Sequence, residues 1–257
     1  MTVKADPAGF PHRRITEVPS VSVAQMREIQ RSAQEDLGYD ILQIMENAGR
    51  SIAELALAML GGRGRGQRVV VFAGGGNKGG AGLSATRHLV NWGVNASPVF
   101  GEVESEVSFA ARRQLHTLRE SGIGEQDQET SEFELEEELA GAELVIDALV
   151  GYGLEGPPYG PAAALAELAV ASKRPILAVD VPTGVNATTG EVHSPAMRAI
   201  TTLILDLPKK GMLDPRCRQC VGELYVADLG IPRAVHERLG IRPGGIFTEG
   251  PIVRLRR

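Results

Sequence analysis

From Ser22 to Leu60 apolar residues recur every three or four positions; from Arg68 onward short continuous apolar runs take over, with helical stretches between them. The first region predicts two helices. In SVAQMREIQRSAQEDLG, Ser22 stands as an N-cap with Gln25 three residues on, the spacing of a capping box, and Gly38 is the stop. A second helix from Asp40 places Ile41, Ile44, Met45, Ala48, Ile52, Leu55 and Ala56 on one face, and GGRGRGQ ends it.

RVVVFA (68–73) then reads as a strand buried on both faces, because a half-exposed strand would alternate with polar residues. A helix is expected over 82–93, a strand over 95–100 and a helix over 105–121. ELVIDALV from Glu143 is the next strand, PAAALAELAVASK a helix and PILAVDVP a strand, with later apolar runs at 200–205 and 221–227. Strands alternating with helices predict an α/β fold, a Rossmann-like three-layer αβα sandwich with a mostly parallel central sheet and a helical N-terminal extension. The expected organisation is an N-terminal tail (1–20), one domain (21–235) and a C-terminal tail (236–257) in which IVRLRR is a solvated end. The acidic stretch 125–139 reads as a solvated loop and helix face.

Composition narrows the function. A net charge of -5 gives no general attraction to nucleic acid or anionic lipid, so neither is an expected partner. No apolar run reaches the ~18 residues of a membrane span. The N-terminus has Pro, Asp and Arg where a signal peptide needs an apolar core, and two cysteines fit a reducing compartment; a cytoplasmic location is expected.

In an open parallel sheet ligands sit beyond the carboxyl ends of the strands, which directs attention to three loops. GGGNKGGAG follows RVVVFA, and its glycines let the backbone approach a phosphate at a helix N-terminus. Gly74, Gly76 and Gly79 also satisfy G-x-G-x-x-G with Glu102 beyond, the weak signature of a nicotinamide dehydrogenase, whereas no P-loop Gly-Lys-Ser/Thr occurs. Asp147 ends the strand before ALVGYGLEGPPYGP, and Asp180 ends the strand before VPTGVNATTGE. One strand-end aspartate is read as a turn cap; two beside glycine-rich loops point to one pocket.

These segments resemble the NAD(P)H-hydrate epimerase family, also called the YjeF N-terminal domain family. The resemblance runs from Ser22 to about Pro232 and includes IMENAGRSIAE, GGGNKGGAGLSATRHL, VIDALVGYGLEGP, AVDVPTGVNATTGEV, LPKKGML and VADLGIP. It implies a Rossmann-like homodimer that binds a hydrated nicotinamide nucleotide and interconverts the two epimers of NADHX and NADPHX. By the same resemblance Asn77, Lys78, Gly79, Gly80 and Ala81 lie in the substrate loop. Gly151, Tyr152, Gly153, Leu154, Glu155, Gly156 and Pro157 form the second substrate segment. Asp180 binds substrate and is the candidate catalytic group, and Asp147 and Thr183 are ligands of a potassium ion.

The chain departs from the family loop GPGNNGGDG at three places. Gly75 replaces a proline, Lys78 the asparagine that would be the third potassium ligand, and Ala81 the aspartate that would be the acid/base. A methyl group neither gives nor takes a proton, a loss of ~10²–10⁴ in rate where one general acid/base is removed. The Lys78 ammonium is expected in the cation position, paired with Asp147 and with Thr183 Oγ as another acceptor, in place of potassium; the alternative is an outward, solvated lysine. Two further readings stand beside an epimerase: a non-catalytic nucleotide-binding or scaffold paralogue, and an NAD-dependent dehydrogenase. Among smaller signals, Cys217 and Cys220 read as two ordinary thiols, His88 as a partly exposed helix residue, Ser84 as a possible phosphate donor and Trp92 as a packing residue.

Overall fold

The structure, a computed structural model, describes residues 3–101, 107–124 and 131–257. Glu102, the start of the helix expected at 105, and residues 125–130 of the acidic stretch lie outside the described residues. Eight strands form one sheet: β1 (His12–Arg14), β2 (Arg68–Ala73), β3 (Asn95–Phe100), β4 (Leu144–Ala148), β5 (Ile176–Val179), β6 (Thr201–Leu205), β7 (Glu223–Ala227) and β8 (Ile252–Arg256). Their order is β1-β8-β7-β6-β5-β4-β2-β3, and β3 to β7 with β2 run parallel. The helices are α1 (Val23–Arg31), α2 (Ile41–Met59), α3 (Asn77–Asn91), α4 (Phe109–Glu120), α5 (Glu132–Gly141), α6 (Gly160–Ser172), α7 (Arg218–Val221) and α8 (Arg233–Arg238).

The continuous apolar strands are buried on both faces, as their composition requires. Val69 and Val71 of β2 join a core with α1, α2 and α3, while Val70 and Phe72 join one with Leu135 and Leu139 of α5 and Ala162, Leu165 and Ala166 of α6. This is the expected three-layer sandwich with a helical extension. Ser22 and Gln25 form the expected capping box; Asp40 and Gln43 form another at the start of α2. α1 runs into one π-helical stretch, Ser32–Asp36, before Gly38 turns the chain at positive φ.

Three expectations are corrected. The N-terminal tail carries β1, and IVRLRR is not a solvated end: Ile252, Val253 and Leu255 are buried in β8, which pairs antiparallel with β7 and parallel with β1. In β8 apolar residues alternate with arginines, and Arg254 reaches Glu223 and Asp6. The second correction is the start of α3, at Asn77 rather than 82. KGGAG is therefore helix, not loop, and its glycines serve close packing. A Cβ on Gly79 would lie 1.7 Å from Gly74 O, one on Gly80 2.7 Å from Met45 Sδ, and one on Gly82 2.5 Å from Ala148 Cβ. Third, His88 is buried, its Nε2 2.8 Å from Glu46 Oε1, because α2 and α3 pack face to face. Ser84 points into the same contact and donates to Glu46 Oε2 at 3.1 Å, away from any phosphate position.

The chain crosses over at β2. β3 lies on one side of it, β4 on the other, and the later strands extend outward from β4. The carboxyl ends of β2 and β4 thus diverge into a crevice, the place where such sheets bind ligands.

Two outcomes test this packing. Gly79→Ala is expected to destabilise by about 3 kcal/mol in urea unfolding, because the methyl must displace backbone. Gly76→Ala, where a Cβ would meet nothing within 4 Å, is expected to cost about 1 kcal/mol or less. Equal losses would contradict the close approach. The second outcome concerns His236 of α8, whose Nε2 lies 2.8 Å from buried Asp206 Oδ2. Burial opposes the charged imidazole, but the hydrogen bond and charge of Asp206, with the charge of Asp228, outweigh it and hold the pKa above its ordinary value. A raised folded-state pKa gives stability that is complete below about pH 6.5 and is lost as pH rises through the folded value. The Tm gap between wild type and His236→Asn should therefore be widest at pH 6 and shrink toward pH 9; a gap that widens with pH would refute the pairing.

Candidate functional site

A cavity of about 590 Å³ opens over the crevice between β2 and β4. Gly75, Gly76, Asn77, Lys78 and Ala81 contribute from the start of α3, and Leu149–Leu154 from the segment after β4. Asp180 follows β5, and Leu205 and Lys209 belong to the end of β6 and its following turn. The helical extension closes one side with Gln30 of α1 and Ile41, Ile44, Met45 and Ala48 of α2. The result is an apolar wall facing a polar floor, an arrangement that orients an amphipathic ligand. Three strand-end loops expected to form one pocket do meet at one rim of the sheet.

Lys78 leaves the first turn of α3 and runs inward. Its Nζ donates to Val181 O at 2.8 Å, Val150 O at 3.0 Å and Asp147 Oδ1 at 3.1 Å, with Thr183 Oγ1 at 3.4 Å. Three N–H groups meet three close acceptors, so the buried ammonium is satisfied. Burial pulls its pKa below the ordinary lysine value, against the charge of Asp147. Asp147 is fully buried, and its carboxylate also accepts from Thr183 Oγ1 at 2.6 Å, Thr183 N at 2.7 Å and Leu149 N at 3.2 Å. Neither charge is left without partners.

Asp180 follows β5 in a left-handed conformation, φ 62°, which an aspartate tolerates better than most residues. Its Oδ1 accepts from Leu205 N at 3.0 Å and from Lys209 Nζ, which also donates to Leu205 O at 2.9 Å. Lys209 Nζ stands 5.5 Å from the centre of the Tyr152 ring. Tyr152 in turn donates to Gln30 Oε1 at 2.6 Å, and burial, followed by the charge of Asp180, pushes its pKa up to about 12. The ionisable side chains on the cavity wall are Lys78, Tyr152, Tyr159, Asp180 and Lys209. Lys78 is occupied with Asp147, and Asp180–Lys209 is the other pair of opposite charges on the wall.

The expected site residues fall into three groups. Asn77, Lys78, Ala81, Gly151, Tyr152, Gly153, Leu154 and Asp180 line the cavity. Asp147 and Thr183 sit beneath it, on Lys78. Gly79, Gly80, Glu155, Gly156 and Pro157 lie outside the lining, the first two because they are packed inside α3. Sequence reasoning missed Lys209 and Gln30. A lysine pair directly after an apolar strand, in LPKKGML, was the available signal for the first; a glutamine on an amphipathic helix carries none.

Potassium does not fit this centre as built, since the ammonium already stands among the oxygens that would ligate it. Among the described residues no group of three or more His, Cys, Asp or Glu side chains is placed to hold a metal. Cys217 and Cys220 are buried free thiols, and burial pushes Cys217 up to about 11.

Comparison with known proteins agrees with this geometry. A family profile described as YjeF-related protein N-terminus matches residues 41–211. The NAD(P)H-hydrate epimerase of Dehalogenimonas lykanthroporepellens is 41% identical over 239 residues, 93% of each chain. That of Rhodopirellula baltica is 32% identical, over 85% of this chain and 87% of its own. The bifunctional NAD(P)H-hydrate repair enzyme Nnr of Thermofilum pendens is 34% identical over 90% of this chain, which corresponds to 43% of that longer protein. The crystal structure of yeast ynu0 superposes with a TM-score of 0.78 at 26% identity, over 93% of this chain and all of that one. On the profile match and these relatives, the chain belongs to the YjeF N-terminal family, the family of the NAD(P)H-hydrate epimerases.

Proposed function

We propose that the cavity binds a hydrated nicotinamide nucleotide and that the chain interconverts the epimers of NADHX and NADPHX, as the names of its relatives indicate for them. The observation that carries this reading is the Asp180–Lys209 pair inside a cavity walled by the helical extension. Inverting a hydroxyl-bearing ring carbon requires a proton given to the departing oxygen and one taken from the water that returns on the other face. Lys209 can give the proton to the departing oxygen and Asp180 can take one from the returning water; because the two stand together, the ring must turn over between the two steps. The ring would lie against Ile41, Ile44, Met45 and Ala48, with Tyr152 beside it. At the opposite end the start of α3 has no side-chain cap, so its amides and dipole face the cavity and suit a phosphate.

Ala81 limits the rate. It lines the cavity and supplies no proton, so Asp180–Lys209 works without a second carboxylate. Because of that methyl group a second reading stands, a ligand-binding protein without turnover. The resemblance further implies a homodimer and a cytoplasmic location, which sedimentation velocity and cell fractionation test directly.

The deciding experiment follows separated NADPHX epimers by chromatography for wild type, Asp180→Asn, Lys209→Met and Ala81→Asp. Slow interconversion is expected for wild type, a fall of ~10²–10⁴ for Asp180→Asn and Lys209→Met, and a rise of about 10² for Ala81→Asp. A wild-type rate untouched by Asp180→Asn would overturn the mechanism. Tight calorimetric binding with no interconversion in any variant would establish the binding-only reading.

A further inference from the structure

Four oxygen atoms from two chain segments converge beneath the cavity: Asp147 Oδ1 and Val150 O after β4, Val181 O and Thr183 Oγ1 after β5. One is an ionised carboxylate with no exposed surface, and an enclosed carboxylate requires a positive partner. What stands at their centre is not a diffusible ion but Lys78 Nζ, 2.8 to 3.4 Å from all four. A primary ammonium and a large monovalent cation present similar charge and radius to such an oxygen cage.

We propose that Lys78 is a covalently tethered substitute for a monovalent cation, so that the two loops bounding the ligand cavity are held in place without potassium. The side chain enters from α3, on the far side of the crevice from β5, and so links the ends of β2, β4 and β5 in one step. It adds an attachment that a free ion could not supply, because the ammonium is anchored to the helix whose first turn lines the cavity. Gly151, where a Cβ would lie 3.6 Å from the Lys78 side chain, shows how closely the second substrate loop lies over it. The proposal concerns the cage alone and does not depend on which nucleotide the cavity accepts.

The test compares melting temperatures of wild type and Lys78→Asn in potassium, sodium and tetramethylammonium chloride at equal ionic strength. Wild type should melt at one temperature in all three. Lys78→Asn should melt lower in tetramethylammonium and regain about 5 °C or more, with saturation, as potassium is titrated in. Potassium-specific stabilisation of wild type would overturn the proposal, and so would a Lys78→Asn protein indifferent to cation. Should that variant fail to fold, wild type still decides. On reductive methylation followed by peptide mass spectrometry, exposed Lys4 and Lys210 should react while Lys78 stays unmodified. Modification of Lys78 at the rate of Lys4 would show a solvated amine and refute the substitution.

Discussion

An ammonium and a carboxylate buried together can persist only if every proton and lone pair that matters is spoken for. Removing both from water costs several kcal/mol per ion even after relaxation, and their attraction offsets this only in good geometry. Lys78 and Asp147 meet that condition through backbone carbonyls at Val150 and Val181 and donors at Leu149 and Thr183. The demand propagates outward. Those carbonyls can point at Nζ only if the segments after β4 and β5 turn as they do, and the same turns bring Gly151, Tyr152 and Asp180 to the cavity wall.

The reach of Lys78 depends in turn on the glycines around it. An ordinary helix start would stand farther from the strand ends, because side chains at 79 and 82 would collide with Gly74 O and Ala148 Cβ. With hydrogen in those places α3 drops against β2 and β4, and a side chain at 78 spans the remaining gap. The glycine density that suggested a phosphate loop therefore acts twice. Gly75 and Gly76 leave the cavity rim open, while Gly79, Gly80 and Gly82 let the helix sit close enough to deliver the lysine.

Much of this was legible in the amino-acid order. Runs such as RVVVFA and ELVIDALV can be little else than strands covered on both sides, and Ser22 and Asp40 announce their helices with capping chemistry. The start of α3 was misjudged because glycine has low intrinsic helix propensity, whereas close tertiary packing decides the matter here. β1 and β8 escaped notice because three to five residues at a sheet edge, mixed with arginine, carry too weak a pattern. In the site, strand-end aspartates were readable since packing offers no reason for a charge there. Lys209 was harder to find: its partner Asp180 lies 29 residues earlier, and only the neighbouring of β5 and β6 unites them.

The pairing of β1 with β8 sets His12 against Arg254, so the outer margin of the sheet joins positions more than two hundred residues apart. Every group that shapes the cavity, by contrast, is supplied between Gln30 and Leu229. During synthesis the crossover and its crevice can assemble first, while β7 waits with an unpaired margin for β8 to emerge. The growing polypeptide thus gains its ligand-binding centre before β8 covers the β7 margin, and in that interval the margin is open to unwanted strand pairing.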